Sequence, residues 1–390
     1  MPLSRRTMIA SAGALLGSTF LPAASARPPN RAPSVPPDSI PSLADAVSLS
    51  DIEWLARQKL PHATYEYIAG GAADEITVRW NRESFDNIRI RPRVLVDVEK
   101  IDTKLKLPGQ ELSFPLLLAP TAFHRLVHPE GEVETARGAG RAETPFIVSS
   151  LSTRRFEDIA RETTQPLWFQ LFDIRQQRRE FITSVVHEVK AARCKALVVT
   201  VDAPVTGARN RSERARFHLP EDFETPYYPD RVKRRQVGGL PVSGSSTWDD
   251  VRWLQSITDL PIFLKGILTR EDAGLAAKAG VHGIIVSNHG GRELDTVPAT
   301  ISVLPEIVQA TGDRLIILMD GGVRRGTDIL KALALGAKAV LIGRPYLYGL
   351  GSGGAGGVAR VVAILRKEFE MAMALSGRRN LSEIDRSVLF

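Results

Sequence analysis

Beyond residue 110 the sequence repeats one theme eight times: a short apolar run, then an amphipathic stretch. The runs are Leu116–Ala119, Phe146–Ser149, Leu167–Leu171, Leu197–Val201, Ile262–Leu264, Gly283–Val286, Leu315–Met319 and Ala339–Ile342. Most are continuous rather than alternating, the pattern of strands buried on both faces. Between and after them lie Glu130–Ala142, Phe156–Thr163, Gln177–Ala192, Trp248–Thr258, Glu271–Ala279, Ala299–Thr311, Thr327–Leu335 and Gly357–Ala374, each with helical spacing. Eight such pairs predict an α/β chain closed into a (β/α)8 TIM barrel, because each parallel strand needs a crossover helix to reach the next. A doubly wound sheet is the alternative, but it does not require eight near-equal units. Residues 48–85 read as helical and predict an N-terminal cap on a barrel that starts near residue 112. About 45 residues, Asp202 to Thr247, separate the fourth run from its helix. Connections beyond ~15 residues are usually functional or disordered, so this fourth loop is expected to be a lid. It carries Arg209, Arg211, Arg214, Arg216 and Lys233-Arg234-Arg235, which either close over an anion or stay solvated.

The N-terminus is an address rather than structure. Ser4-Arg5-Arg6-Thr7-Met8-Ile9 is a twin-arginine sequence, an apolar run continues to Leu21, and Ala24-Ser25-Ala26 offers a small-residue cleavage site. The run is shorter than the ~20 residues that a membrane span needs. Residues 1–26 are therefore expected to be a signal peptide cleaved near Ala26, which places the mature protein in the periplasm or outside the cell. Residues 27–47 are expected to be a linker, with Pro28, Pro29, Pro33, Pro36, Pro37 and Pro41 keeping it extended. The remaining domain is 48–390.

Composition narrows the chemistry. A single cysteine, Cys194, excludes an internal disulfide framework and any cysteine-cluster metal or iron–sulfur site; no metal site is expected. The formal charge is +7, and removing residues 1–26 takes away two arginines and no acid, leaving +5. That excess is small for 390 residues and forms no dense tract, so nucleic acid is not an expected partner.

In a barrel, reactive groups collect where strands end and loops begin. In order, the eight runs lead into Pro120-Thr121-Ala122; Ser149; Gln170 and Phe172; Thr200 and Asp202; Lys265; Ser287-Asn288-His289; Asp320-Gly321-Gly322-Val323-Arg324; and Gly343-Arg344. In the last two loops, glycines allow backbone N–H groups to approach a ligand, Arg324 and Arg344 add forked donors, and helix N-termini follow, which together predict a phosphate site. Gly351-Ser352-Gly353-Gly354-Ala355-Gly356 fits a dinucleotide fingerprint only on paper, because it does not open off a strand and no acid follows at the required distance. A monophosphate cofactor fits better. Lys265 suits either a Schiff base or a cation beside an electron-accepting ring. His289 either caps a turn or acts as a general base, with Asp202 to orient it and Arg292 and Arg209 to hold a carboxylate.

Ser287-Asn288-His289-Gly290-Gly291-Arg292 and Asp320-Gly321-Gly322-Val323-Arg324-Arg325-Gly326-Thr327-Asp328, with Lys265-Gly266, His128-Pro129-Glu130-Gly131-Glu132 and Gly343-Arg344-Pro345, carry a specific likeness. From about Leu49 to the C-terminus the chain resembles the FMN-dependent L-2-hydroxy acid oxidase/dehydrogenase family, which includes glycolate oxidase, lactate oxidase, lactate and mandelate dehydrogenases and 4-hydroxymandelate oxidase. The resemblance implies FMN as cofactor, His289 as catalytic base with Asp202 as its partner, and Arg292, Arg209 and Tyr67 as substrate-carboxylate contacts. It implies that Lys265 stabilises the reduced flavin. Pro120, Thr121, Ala122, Ser149, Gln170, Thr200 and Ser287 match flavin-ring and ribityl contacts. Asp320, Gly321, Gly322, Arg324, Gly343 and Arg344 match ribityl and phosphate contacts. It also implies a homo-oligomer, a tetramer by analogy.

Three positions depart from or vary within the family pattern. Phe172 stands where a second active-site tyrosine is usual, which removes a hydroxyl and lowers expected turnover on small acids. Leu151 replaces a bulky tryptophan of some members and enlarges the pocket toward aryl or longer-chain acids. Ala122 replaces the glycine of some non-oxidase members and favours reaction with oxygen over a quinone or cytochrome. The expected substrate is thus a 2-hydroxy acid such as lactate, glycolate or an aryl relative. An FMN-barrel isomerase and a flavin-binding scaffold of little turnover are the alternatives.

Overall fold

The eight apolar runs show no alternation because both of their faces are covered. In the structure, a computed structural model that describes residues 42–228 and 246–390, one set of strand side chains points into a closed barrel and the other outward beneath helices. All described residues belong to one compact unit, Ile40–Phe390. The signal sequence, most of the proline-rich linker and Lys233-Arg234-Arg235 lie outside the described residues.

The barrel strands are β3 (Leu116–Leu118), β4 (Phe146–Ser149), β5 (Leu167–Leu171), β6 (Leu197–Thr200), β7 (Ile262–Ile267), β8 (Gly283–Val286), β9 (Ile316–Met319) and β10 (Ala339–Ile342). All pair in parallel, and β10 closes on β3 through Val340–Leu116, Leu341–Leu117 and Ile342–Leu118. Leu117, Ile147, Trp168, Val198, Phe263, Ile285, Leu318 and Leu341 fill the interior, where the Trp168 and Phe263 rings lie 4.8 Å apart. Each such fully buried side chain contributes roughly 1.5–3 kcal/mol. A hairpin that the sequence reading did not separate from the barrel, β1 (Leu105–Leu107) and β2 (Gln110–Leu112), turns at Pro108-Gly109 and lays Leu107 and Leu112 against this interior. Cys194 sits just ahead of β6, at the mouth where the strands begin. It is 4% exposed, its Sγ is 3.2 Å from the Ala196 carbonyl, and burial pushes the thiol up to about 12.

The cap is three helices, α1 (Leu49–Lys59), α2 (His62–Ala69) and α3 (Ile76–Asp86). Ser48 and Asp51 form a reciprocal capping box at the start of α1. The outer helices are α4 (Glu132–Arg141), α5 (Phe156–Arg161), α6 (Arg179–Ala191), α7 (Asn210–Arg214), α8 (Trp248–Ile257), α9 (Arg270–Ala279), α10 (Thr300–Thr311), α11 (Gly326–Ala334) and α12 (Arg344–Leu375). α7 belongs to the long fourth loop and has no counterpart in the sequence reading.

Two expectations are corrected. The last helix does not begin at Gly357: α12 starts at Arg344 and is two helices joined at Gly353 and Gly354, the latter at φ 58°. The glycine run is a packing joint, since a Cβ on Gly357 would lie 1.8 Å from the Gly349 carbonyl oxygen. Lys265 does not end its strand either. β7 runs on to Ile267 across a register shift between Lys265 and Ile267. No helix among the described residues is long and apolar enough to cross a membrane.

Candidate active site

The C-terminal ends of the barrel strands open into a cleft that encloses about 1280 Å³ of space, mouth included. Tyr67, Pro120, Thr121, Ala122, Ser149, Leu151, Gln170, Phe172, Thr200, Arg209, Lys265, His289, Arg292, Asp320, Gly321, Gly322, Arg324, Gly343 and Arg344 line it, as the sequence leads one to expect. Asp202 and Ser287 are not among the lining residues. Asp202 backs His289. Ser287, expected at the flavin, is fully buried; its hydroxyl accepts from the Lys265 ammonium at 2.8 Å and from the His289 amide at 3.1 Å.

His289 Nδ1 lies 3.0 Å from Asp202 Oδ1. In the neutral imidazole this fixes the proton on Nδ1 and leaves the Nε2 lone pair free to accept one. Burial pushes the Asp202 carboxyl up, but His289 and Lys265 outweigh it and hold the group below the usual carboxylate range. Asp202 fits here because the residue beside Lys265 is glycine: Gly266 has φ 118°, and a Cβ would lie 2.5 Å from the Asp202 Cβ.

Two guanidinium groups flank the base. The Arg292 Nη1 donates to the backbone carbonyls of Tyr67 at 2.9 Å and Gly70 at 2.7 Å, which ties the end of α2 to the loop after β8. The same guanidinium stands 5.1 Å from the centre of the Tyr67 ring, which stacks on Phe217 at 4.3 Å. Arg209 is 5% exposed; burial and then Arg292 push it down to about 10, so it remains charged at neutral pH. Its Nη1 is buried and has no partner among the described residues. Of the other loop arginines, Arg211 pairs with Glu66 and Glu75 on the cap, while Arg214 and Arg216 are exposed.

Deeper in the cleft, Lys265 sits 3.0 Å from Asp320 Oδ2. Burial pushes the ammonium down, yet Asp320 and Asp202 together hold it above the ordinary lysine value. A lysine kept protonated acts as a fixed cation, not as a Schiff-base nucleophile. Along the wall, Gln170 accepts from Ser149 Oγ at 2.8 Å and donates to Thr200 Oγ1 at 2.7 Å, so three adjacent strands present one polar row. At the other end, a Cβ on Gly322, at φ 88°, would lie 1.9 Å from the Asn81 carbonyl oxygen. Asp320 Oδ1 and Arg324 Nε are buried and without partners among the described residues. Arg344 lines the cleft and has a second role. Its Nε, Nη1 and Nη2 donate to the carbonyls of Ile68, Gly290 and Gly70 at 2.8–3.0 Å, so it couples the cap to the barrel and keeps two of five N–H groups for a ligand. Burial, then Arg292, pushes it down to about 9.

The sequence reading missed Glu293. It lines the cleft, and its carboxylate accepts from Arg209 Nη2 at 2.7 Å and from the Gly207 amide at 2.9 Å. Only its place next to Arg292 hinted at this, because the contact arises from two loops meeting. Also missed were the reciprocal Asn81–Asn288 amide pair, at 2.9 and 2.8 Å, and Asp295, which accepts from the amides that open α3.

The sequence profile of FMN-dependent dehydrogenase matches residues 56–390. The chain belongs to this family. As an FMN-dependent dehydrogenase it is similar to a peroxisomal (S)-2-hydroxyacid oxidase of Arabidopsis thaliana, 46% identical over 87% of this chain and 95% of that one. It is also similar to the L-lactate oxidase of Nostoc sp., 43% identical over 89% of this chain and 99% of the relative. A crystal structure of mandelate oxidase with (S)-2-phenylpropionate superposes with a TM-score of 0.81 at 38% identity, covering 88% of this chain and 98% of that one. The protein is thus an FMN-dependent oxidoreductase on a TIM barrel, which sets the isomerase alternative aside. Its residues fit FMN: Arg324 Nε and Asp320 Oδ1 are buried without partners among the described residues, and Lys265 supplies a buried cation.

Proposed function

We propose that this FMN-dependent dehydrogenase oxidises an L-2-hydroxy acid with a bulky apolar side chain to the 2-oxo acid. The observation that carries this is the imidazole–carboxylate pair flanked by two guanidinium groups, His289–Asp202 beside Arg292 and Arg209, in a cleft with a buried lysine. Arg292, Arg209 and Tyr67 hold the substrate carboxylate and so fix the α-carbon beside His289. His289 Nε2 takes the substrate proton, and Asp202 stabilises the resulting cation. Bound FMN supplies the two-electron acceptor. Pro120, Ala122, Ser149, Gln170, Thr200 and Lys265 would hold its ring system, and Asp320, Gly322, Arg324 and Gly343 its ribityl and phosphate.

Apolar side chains support the substrate class. Phe123, Leu151, Phe217, Leu219, Phe223 and Tyr228 form a cluster against which Tyr67, Ala122, Leu126 and Phe172 pack. Solved relatives point the same way: a tyrosine-to-phenylalanine variant of mandelate oxidase has been crystallised with (S)-mandelic acid. Ala122 and the oxidase relatives favour oxygen as final acceptor, with hydrogen peroxide as product. Anaerobic addition of (S)-mandelate or a longer 2-hydroxy acid is expected to bleach the flavin faster than glycolate, and admitted oxygen to restore the colour. No bleaching with any 2-hydroxy acid would leave only a flavin-binding scaffold. Recovery with a quinone but not with oxygen would make the protein a dehydrogenase in the strict sense. Residues 1–26 are read as a twin-arginine signal, and cell fractionation of an Arg5→Lys/Arg6→Lys chain is expected to find it retained in the cytoplasm. The tetramer suggested by analogy is open to light scattering.

A further inference from the structure

The carboxylates that line the cleft among the described residues are Asp320 and Glu293, and Asp320 is bound to Lys265. Glu293 instead stands inside the clamp that the preceding reading assigns to the substrate. Its Oε1 accepts from Arg209 Nη2 at 2.7 Å and lies 3.9 Å from His289 Nε2. Both members of the Arg209–Glu293 pair are nearly sealed, with side chains 6% and 10% exposed. Glu293 is also held from its other side, because Oε2 accepts from the Gly207 amide at 2.9 Å and a Cβ on Gly207 would lie 2.1 Å from the Glu293 carbonyl oxygen. One arm of the Arg209 fork is therefore taken, and the other, Nη1, is buried and without a partner.

We propose that Glu293 is a resident carboxylate that occupies half of the Arg209 fork and sets the charge of the substrate, admitting one carboxylate and rejecting two. This rests on the reading of Arg209 and Arg292 as the carboxylate clamp. Within the clamp itself, two guanidinium groups and one glutamate leave a surplus of one positive charge, while behind it Lys265 is paired with Asp320 and Asp202 stands against His289. A monocarboxylate cancels that surplus. A dicarboxylate leaves an uncompensated negative charge in a site shielded from water, where such charge is costly.

The test is the dissociation constant of the FMN-loaded protein for benzoate, a monoanion, and for oxalate, a dianion, measured by titration calorimetry. The wild type is expected to prefer benzoate. Glu293→Gln, which keeps the shape and removes the charge, is expected to tighten both, with the gain for oxalate greater by on the order of tenfold. Glu293→Asp, which keeps the charge, is expected to retain the wild-type preference. Equal changes for the two anions in Glu293→Gln, or weaker binding of both, would overturn the proposal and leave Glu293 as a support for Arg209. Loss of the preference in Glu293→Asp would overturn it as well. A wild type that binds neither anion would overturn the clamp itself, and this inference with it.

Discussion

His289 sits at φ 56°, a left-handed conformation that few non-glycine residues adopt, with Gly290 and Gly291 following at 65° and 72°. That turn aims the imidazole at the cleft while Asp202 locks its tautomer. Replacing His289 by Asn is expected to leave FMN bound and to slow anaerobic flavin reduction by roughly 10²–10⁴-fold, the usual worth of a general base; near-normal reduction would remove His289 from that role. Phe172 presents a ring without a hydroxyl to the same space, packed edge-on to Tyr228 with centroids 6.1 Å apart. Phe172→Tyr is expected to raise kcat/KM for glycolate and lactate by about tenfold or more, since a hydrogen bond to a charged group is worth ~1.5–3 kcal/mol. Steady-state kinetics on the two acids checks this. His289, Lys265 and Phe172 were all legible in the sequence because each follows or lies in an apolar run beside a recognisable motif. Glu293 was not: its chemistry depends on a 2.7 Å contact with Arg209, 84 positions away, and no local pattern encodes that.

The strands were legible to within a few residues because burial on both faces forbids polar interruption, so their limits show as changes of composition. The β1–β2 hairpin was not, since only Leu107 and Leu112 of its short strands are buried and neither strand carries a periodic signal. The start of α12 was hidden for a related reason: glycines read as a break, whereas here they let Gly349 and Gly357 approach across a bend. A second close approach carries a prediction. The loop after β9 reaches the cap through Gly322, which lines the cleft and whose Cβ-free face meets the Asn81 carbonyl oxygen. Gly322→Ala is expected to push α3 away from the barrel and weaken FMN affinity by at least tenfold while the barrel itself stays folded. Flavin fluorescence on dilution reads the affinity and circular dichroism the fold; unchanged retention of FMN would show that the cap yields without cost.

Stability of the domain should fail on the acid side. Asp202, Asp173 and Asp250 are each pushed up by burial, and each is pulled lower still: by His289 for Asp202, by Arg175 for Asp173, and by the Thr247 amide for Asp250. With folded values below the unfolded value of ~3.9, the charged forms stabilise the fold above that pH, and the benefit is lost as pH falls through the folded values. The melting temperature is expected to be flat from pH 7 to about 5 and to drop steeply below about 4; a melting temperature unchanged at pH 3 would mean that these carboxylates gain nothing on folding. A different chemical hazard is met by position. With oxygen as acceptor, each turnover liberates peroxide at the mouth where the strands end, while Cys194 lies at the opposite mouth, protonated and shut off from solvent. With that acceptor, oxidant and thiol would stand at opposite poles of the barrel, and thiol-protecting reagents are expected not to prolong the enzyme's working life.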